Sequence, residues 1–367
     1  MVLCDDSASP RDITGMSSDT ESVWWGEEAI RAVTLYPWAT MDVDGVLAEL
    51  ADRNVNTVMV ICKESDGRVF YDSDIVPNQV PERDLLAEFV DAAGRRDMYV
   101  VPVFLTLTDK YLLEQDPSLV QVARDGTPLR YPNVSFEWMH WVCPSNPAVR
   151  DHVARLATEI SEYDIDGIRF SHLEFQPVLN GDSDYLSCFC EQCVDGDETV
   201  SSDSEFWLDY RADLSESLLT DLVEPFDDDQ MINLQVEVFA DMESTLRDSR
   251  EKLGLDIEEL SAHVDTLSPR TAHVDMGVHP LWIRDVTRAM RDAVQKPILP
   301  TIRTASSTDP DNPVSPDELH TAIQMALHGG ASGLTLFSDG ANIGRLTDEQ
   351  WDAVEESFDG IEQLKER

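Results

Sequence analysis

The sequence predicts a (β/α)8 TIM barrel, and three observations predict it. From residue 30 onward, short apolar runs rich in Val, Ile and Leu alternate with amphipathic stretches of helical period, eight of each. Eight such pairs over about 330 residues exceed the strand number of an ordinary open doubly wound sheet. No G-x-G-x-x-G or G-K-[ST] element follows any of the runs, so the phosphate-binding turn of a nucleotide fold is absent.

Taken in order, the strands are expected at 32–37, 55–62, 98–107, 166–175, 231–240, 264–269, 297–304 and 332–339. The helices between and after them are expected at 42–53, 82–95, 147–163, 205–223, 243–262, 280–295, 316–328 and 347–364. Asn146-Pro147 and Ser315-Pro316 each place a capping side chain before a proline in the first helical turn, and Gly329-Gly330 closes the seventh helix. Residues 1–29 read as an N-terminal extension, with Trp24-Trp25 expected across the barrel floor, and 30–367 as a single barrel domain. Two connections are long, 108–146 after the third strand and 176–204 after the fourth. Loops of that length usually carry function, and in a barrel they sit on the C-terminal face where active sites form.

Charge narrows the partners. The chain has 72 acidic and 27 basic side chains, a formal net charge of -45, and it is 42% hydrophobic, so the acid belongs on the surface of a folded protein. Such a chain is repelled by phosphate backbones and anionic lipid, which excludes nucleic acid and membrane surfaces as general partners. Only five of the 27 basic residues are Lys. An acid surplus spread along the chain, with Lys scarce, suits a haloarchaeal cytoplasm, where molar salt shrinks the Debye length to about 3 Å. An ordinary acidic mesophilic protein is the alternative. No run reaches a membrane helix, and the first residues have neither a basic start nor an apolar stretch, so a cytoplasmic location is expected.

Cys188-Phe189-Cys190-Glu191-Gln192-Cys193 puts three thiols within six residues, and Cys143 stands just before the third helix. Both segments belong to the long loops, so four thiolates can converge on one structural Zn²⁺. A closed four-sulfur site leaves no open position for water; such a metal ties loops together and does no chemistry. Reduced thiols without metal, or a disulfide, are the other readings.

The cysteine that opens C-P-x-N-P, the helix and strand that follow, and the C-x-C-x-x-C box resemble the zinc-carrying β-galactosidases and related clan A barrel glycosidases. The resemblance covers about residues 138–195 plus the barrel order. It implies a four-cysteine zinc site at Cys143, Cys188, Cys190 and Cys193, and a proton donor at Glu174. It also implies a nucleophilic Glu ending strand seven, where this chain has Pro300-Thr301-Ile302-Arg303-Thr304 instead. A second stretch, Asp166-Gly167-Ile168-Arg169-Phe170-Ser171, is similar to the D-G-[FI]-R-x-D strand of α-amylase-type barrels. That similarity implies a nucleophile where Ser171 stands and an acid on strand five, a place Glu237 fills.

Glycoside hydrolysis needs two carboxyl groups astride the scissile bond. Asn233, Gln235 and Glu237 alternate with apolar residues and are expected to face the lumen, with Glu237 as a catalytic candidate and Glu174 as its partner. Arg169 is expected to point inward and to pair with Glu237 or Asp166. Arg169, His172, Tyr36, Trp38, Trp138, His140 and Arg303 are the candidate substrate contacts, and Lys63, Arg270, Asp241 and Asp339 lie at other strand ends. The loop 131–143 is dense in aromatic rings, which stack on sugar C–H faces, though those rings could equally form the loop's own core.

The leading expectation is an enzyme that cleaves or transfers a glycosidic bond in a carbohydrate substrate. A catalytically inactive carbohydrate-binding barrel is the rival. A metal-dependent hydrolase is disfavoured because the eight His residues show no H-x-H or H-E-x-x-H spacing. Oligomeric state is not legible. Because like charges repel when unscreened, helical circular dichroism is expected to fall as KCl is withdrawn; a cooperative fold unchanged in low salt would count against the halophilic reading.

Overall fold

The computed structural model describes residues 23–129, 139–176, 186–194, 204–239, 245–307, 309–337 and 346–365. Ten strands, thirteen α-helices and two short 3₁₀ helices, Pro117–Leu119 and Ser261–His263, are described. The strands are β1 (Ile30–Leu35), β2 (Thr57–Lys63), β3 (Tyr99–Leu105), β4 (Gly167–Ser171), β5 (Met231–Val236), β6 (Thr266–Thr271), β7 (Thr301–Arg303), β8 (Ala305–Ser306), β9 (Asp309–Pro313) and β10 (Gly333–Phe337). Eight of them close a parallel barrel in the order β1-β10-β7-β6-β5-β4-β3-β2, while β8 and β9 form a small antiparallel ribbon. The expected (β/α)8 barrel is the observed fold.

The helices are α1 (Trp24–Glu27), α2 (Val43–Asp52), α3 (Leu85–Gly94), α4 (Lys110–Gln115), α5 (Pro147–Ser161), α6 (Glu191–Val194), α7 (Glu205–Val223), α8 (Thr245–Leu253), α9 (Ile257–Leu260), α10 (His273–Met276), α11 (Leu281–Val294), α12 (Pro316–His328) and α13 (Asp348–Lys365). Barrel strands such as β2 are buried along their whole length, because helices cover one face and the lumen the other. The caps read from sequence form: Asn146 Oδ1 accepts from Ala148 N at 2.9 Å and Ser315 Oγ from Glu318 N at 3.2 Å. The barrel seam depends on a glycine, since a Cβ at Gly333 would lie 2.3 Å from the carbonyl oxygen of Ile30.

Several boundaries differ from expectation, the seventh strand for one being only Thr301–Arg303, and three of the differences bear on the site. The fourth and fifth strands end at Ser171 and Val236, so Glu174 and Glu237 lie beyond them in the loops. The expected helix 243–262 is broken into α8 and α9 at Gly254, which has φ +68° and no room for a Cβ against the Phe175 ring. Its first two residues lie outside the described ones. At the N-terminal end of the strands, Trp24 stacks on Tyr99 with centroids 4.0 Å apart and donates to the Asp166 carbonyl, placing this ring at the barrel floor.

Lys63 does not reach the mouth. It is fully buried, and its Nζ donates to the carbonyls of Leu105 and Thr108 at 2.8 Å while facing Asp109 at 3.3 Å. Asp109 also holds His152 Nε2 at 3.1 Å and caps α4 through Leu112 N. Burial pushes the Asp109 carboxyl up, but Lys63 and His152 outweigh it and hold it at about 2. The group therefore stabilises the fold above its unfolded range, and that contribution is lost as pH falls from about 4 toward about 2. At neutral pH, Asp109→Asn is expected to cost about 3–5 kcal/mol in denaturant unfolding at fixed KCl, since it strands a buried ammonium; a loss below about 1 kcal/mol would show that Lys63 is rehydrated.

Candidate active site

The lumen is polar along one side. Arg169 on β4 is 1% exposed, and it donates to Asn233 on β5 (2.6 Å), Ser268 on β6 (2.8 Å), Thr301 on β7 (3.4 Å) and Thr335 on β10 (2.9 Å). The expected acidic partner is not there. Asp166 sits at the opposite end of the strand and accepts from Val100 N, while Glu237 is taken by Arg270. Burial, and then the charge of Arg270, lower the Arg169 guanidinium to about 9. A layer higher, Ser171 Oγ donates to Gln235 Oε1 at 2.8 Å, and Gln235 Nε2 donates to Thr301 Oγ1.

At the mouth a chain of contacts joins three strand ends. Glu174 is 1% exposed, with its Oε1 2.8 Å from His172 Nδ1. Nε2 of His172 faces Arg270 Nη2 at 3.4 Å, and Arg270 Nη1 lies 2.5 Å from Glu237 Oε1. Because an arginine can only donate, the contact with Arg270 makes Nε2 the acceptor and leaves the imidazole proton on Nδ1, pointed at Glu174. Burial pushes the Glu174 carboxyl up, yet His172 and Arg270 overcome that and leave it below its usual range. The backbone of His172 is left-handed, φ +53°, and its ring meets Trp141 edge to face at 5.7 Å. Non-glycine residues in that region cost about 1–3 kcal/mol and gather at functional sites.

Beneath this chain opens a small cavity, lined on its polar side by Thr34, Arg169, Ser171, His172, Gln235 and Arg270. Ile61, Val103, Leu105 and Phe337 make its apolar wall. Arg169 and His172 are thus brought together in one lining. Arg303 is held away by Asp275 (2.9 Å) and lies over the Phe337 ring, with burial lowering it to about 10. Tyr36 and Trp38 pack half-buried beside the core after β1. His140 lines a separate, open groove together with Lys110, Leu113 and Leu129. Trp138, Asp241 and Asp339 lie outside the described residues.

One residue at the strand ends escaped the sequence reading. Glu64 directly follows β2, is 8% exposed, accepts from the Tyr36 hydroxyl, and has no partner for Oε2 among the described residues. Burial raises its carboxyl. A Glu placed immediately after an apolar strand was the available signal.

Four sulfur atoms converge beside the mouth. Cys143 Sγ lies 3.5 Å from those of Cys190 and Cys193, and all four, with Cys188, fall within 4.8 Å of one another. None is in a disulfide. The two long loops also share Gln121, whose side chain donates to Val142 O and accepts from Gln176 N and Ser187 Oγ.

The family described as hypothetical glycosyl hydrolase 6 matches residues 42–171. No curated protein matches the chain significantly. Among solved structures, an α-L-fucosidase isoenzyme from Paenibacillus thiaminolyticus is similar at 15% identity and TM-score 0.64, over 92% of this chain and 50% of that one. The polyextremophilic β-galactosidase of the Antarctic haloarchaeon Halorubrum lacusprofundi is similar at 16% identity and TM-score 0.65, over 90% and 58%. The β-galactosidase of the psychrophilic Marinomonas ef1 gives 12% and 0.64, over 91% and 60%. The chain therefore spans only 50–60% of the length of these structures, and the likeness shows the barrel fold.

Proposed function

We propose that the chain is a glycoside hydrolase-like enzyme acting on a carbohydrate, with Glu174 and Glu237 as its working carboxyl groups. The observation that carries this reading is the contact chain Glu174–His172–Arg270–Glu237 across the mouth of a closed barrel. The family match to residues 42–171, which ends on Ser171, supports it. A glycosidic oxygen needs a proton as it leaves, and a water or carboxylate must reach the anomeric carbon. Glu174, kept ionised and sealed, serves the base side by orienting His172, whose imidazole lines the cavity. Glu237, about one quarter exposed at the rim, serves the leaving group once substrate displaces Arg270. The rival, a barrel that binds carbohydrate without cleaving it, is favoured by Ser171 at the end of β4 and by a β7, Thr301–Arg303, that carries no carboxylate.

We further propose that Cys143, Cys188, Cys190 and Cys193 hold a structural zinc. Four thiolates at about 2.3 Å from a tetrahedral ion stand about 3.8 Å apart, and the sulfur separations here suit that better than the about 2.05 Å of a disulfide. Bound there, the metal would tie the loops after β3 and β4 and take no part in the chemistry.

Protein purified without added metal is expected to carry close to one zinc per chain by elemental analysis, and Cys190→Ser to lose it and open the adjoining loop to proteolysis. Four freely titrating thiols and no zinc in the native protein would refute the site.

Purified protein assayed in about 2–3 M KCl against aryl glycosides and oligosaccharides is expected to release sugar. Glu237→Gln should lower turnover at least about a hundredfold with its melting temperature nearly unchanged. Wild-type turnover in both Glu174→Gln and Glu237→Gln would place the chemistry elsewhere on the mouth.

A further inference from the structure

The wall of the barrel cavity has a charge that acid–base chemistry alone does not use. Among the described residues its titratable lining is Arg169, Arg270 and His172, with no Asp or Glu. This is the reverse of the chain as a whole, with its 72 acidic side chains against 27 basic ones. Two of the three cationic or basic groups are met from behind or from the rim, Arg270 by Glu237 and His172 by Glu174. Arg169 is not. Its acceptors are the neutral side chains of Asn233, Ser268, Thr301 and Thr335, and among the described residues no carboxylate acts on it. A guanidinium has five N–H donors, and the least engaged nitrogen here is Nη1, with one long contact of 3.4 Å to Thr301. A buried cation without a counter-charge works against folding, so its retention at a cavity floor points to a ligand that brings the missing anion.

We propose that this cavity receives the carboxylate of an acidic sugar, with Arg169 at its floor and Arg270 at its side as the two receiving cations. The inference rests on the reading of the mouth as a sugar site, and it names the substrate class. A planar carboxylate matches the fork of a guanidinium, and the apolar wall of Ile61, Val103, Leu105 and Phe337 offers a surface for the C–H face of the ring. The depth of Arg169, 1% exposed, suits a group one carbon off a ring.

Isothermal titration of the full chain at constant high KCl, with glucuronate, glucose and inorganic phosphate as probes, tests this. Glucuronate is expected to bind on the order of tenfold or more tighter than glucose, the gain from a charge-assisted hydrogen bond. Arg169→Met should abolish that preference, its fold being checked by circular dichroism at the same KCl. Should that variant fail to fold, Arg270→Gln at the rim should still cut the preference. Glucose binding as tightly as glucuronate would overturn the inference and leave the sugar reading standing. Phosphate binding as tightly as glucuronate would overturn it in favour of a simple anion hole. If neither sugar binds and no neutral or acidic glycoside is cleaved, both readings fall.

Discussion

Burying one arginine inside a closed ring of parallel strands sets the terms for the rest of this lumen. Arg169 reaches from β4 to side chains on β5, β6, β7 and β10, so a single guanidinium ties five of the eight barrel strands. Each of those bonds is charge-assisted and made where water does not compete. The cost is a desolvated cation, visible in its lowered proton affinity. The neighbouring strands answer with hydroxyls and an amide, which accept hydrogen bonds but return no charge. Asn233 is held in turn by Thr266 and Ser268, so the layer is a satisfied network apart from its charge.

Above that layer the site depends on loops, and the loops depend on buried anchors. The Lys63–Asp109–His152 cluster fixes the start of the connection after β3, and Gln121 fastens it to the connection after β4. Arg211 of α7, buried over the rings of Phe175 and Trp207, donates to the carbonyls of Glu251 and Lys252, two of the groups that the end of α8 leaves unpaired. Phe175 follows Glu174, and its amide is tied to Leu253 O. The strained backbone at His172 is therefore held on both sides, by Leu107 N bonding its carbonyl and by the anchored Phe175. An imidazole aimed by such a frame needs little reorganisation on binding.

Much of this was legible in the residues. Apolar runs gave the order of strands and helices because a parallel sheet buried on both faces leaves a dense, aperiodic hydrophobic signal. The cysteine spacing foretold the convergence of four sulfurs, since both segments had to lie on one barrel face. Strand ends were less legible: the run through Phe170 stays apolar past Ser171, to Leu173, which joins the main core, and Phe175, which packs under Arg211 and not in the sheet. The partner of Arg169 was misread because pairing a charge with a charge is the usual solution, and the register instead set Asn233 opposite it, with hydroxyls on the strands beyond. Glu64 escaped because its hydrogen-bond partner, Tyr36, is distant in sequence.

The charge layout also separates two fields that salt treats differently. The acid surplus lies on the surface, where molar salt reduces its reach to about 3 Å. Arg169 and Arg270 line a cavity walled by apolar side chains, where mobile ions screen far less. At low ionic strength a net charge of -45 would repel an anionic ligand before it met the lumen. At high ionic strength that long-range repulsion is removed while the short-range attraction of the buried guanidinium persists. On the proposed reading salt would act in two ways: it would let the acidic surface stay compact, and it would open the way for an anion to reach a cationic floor.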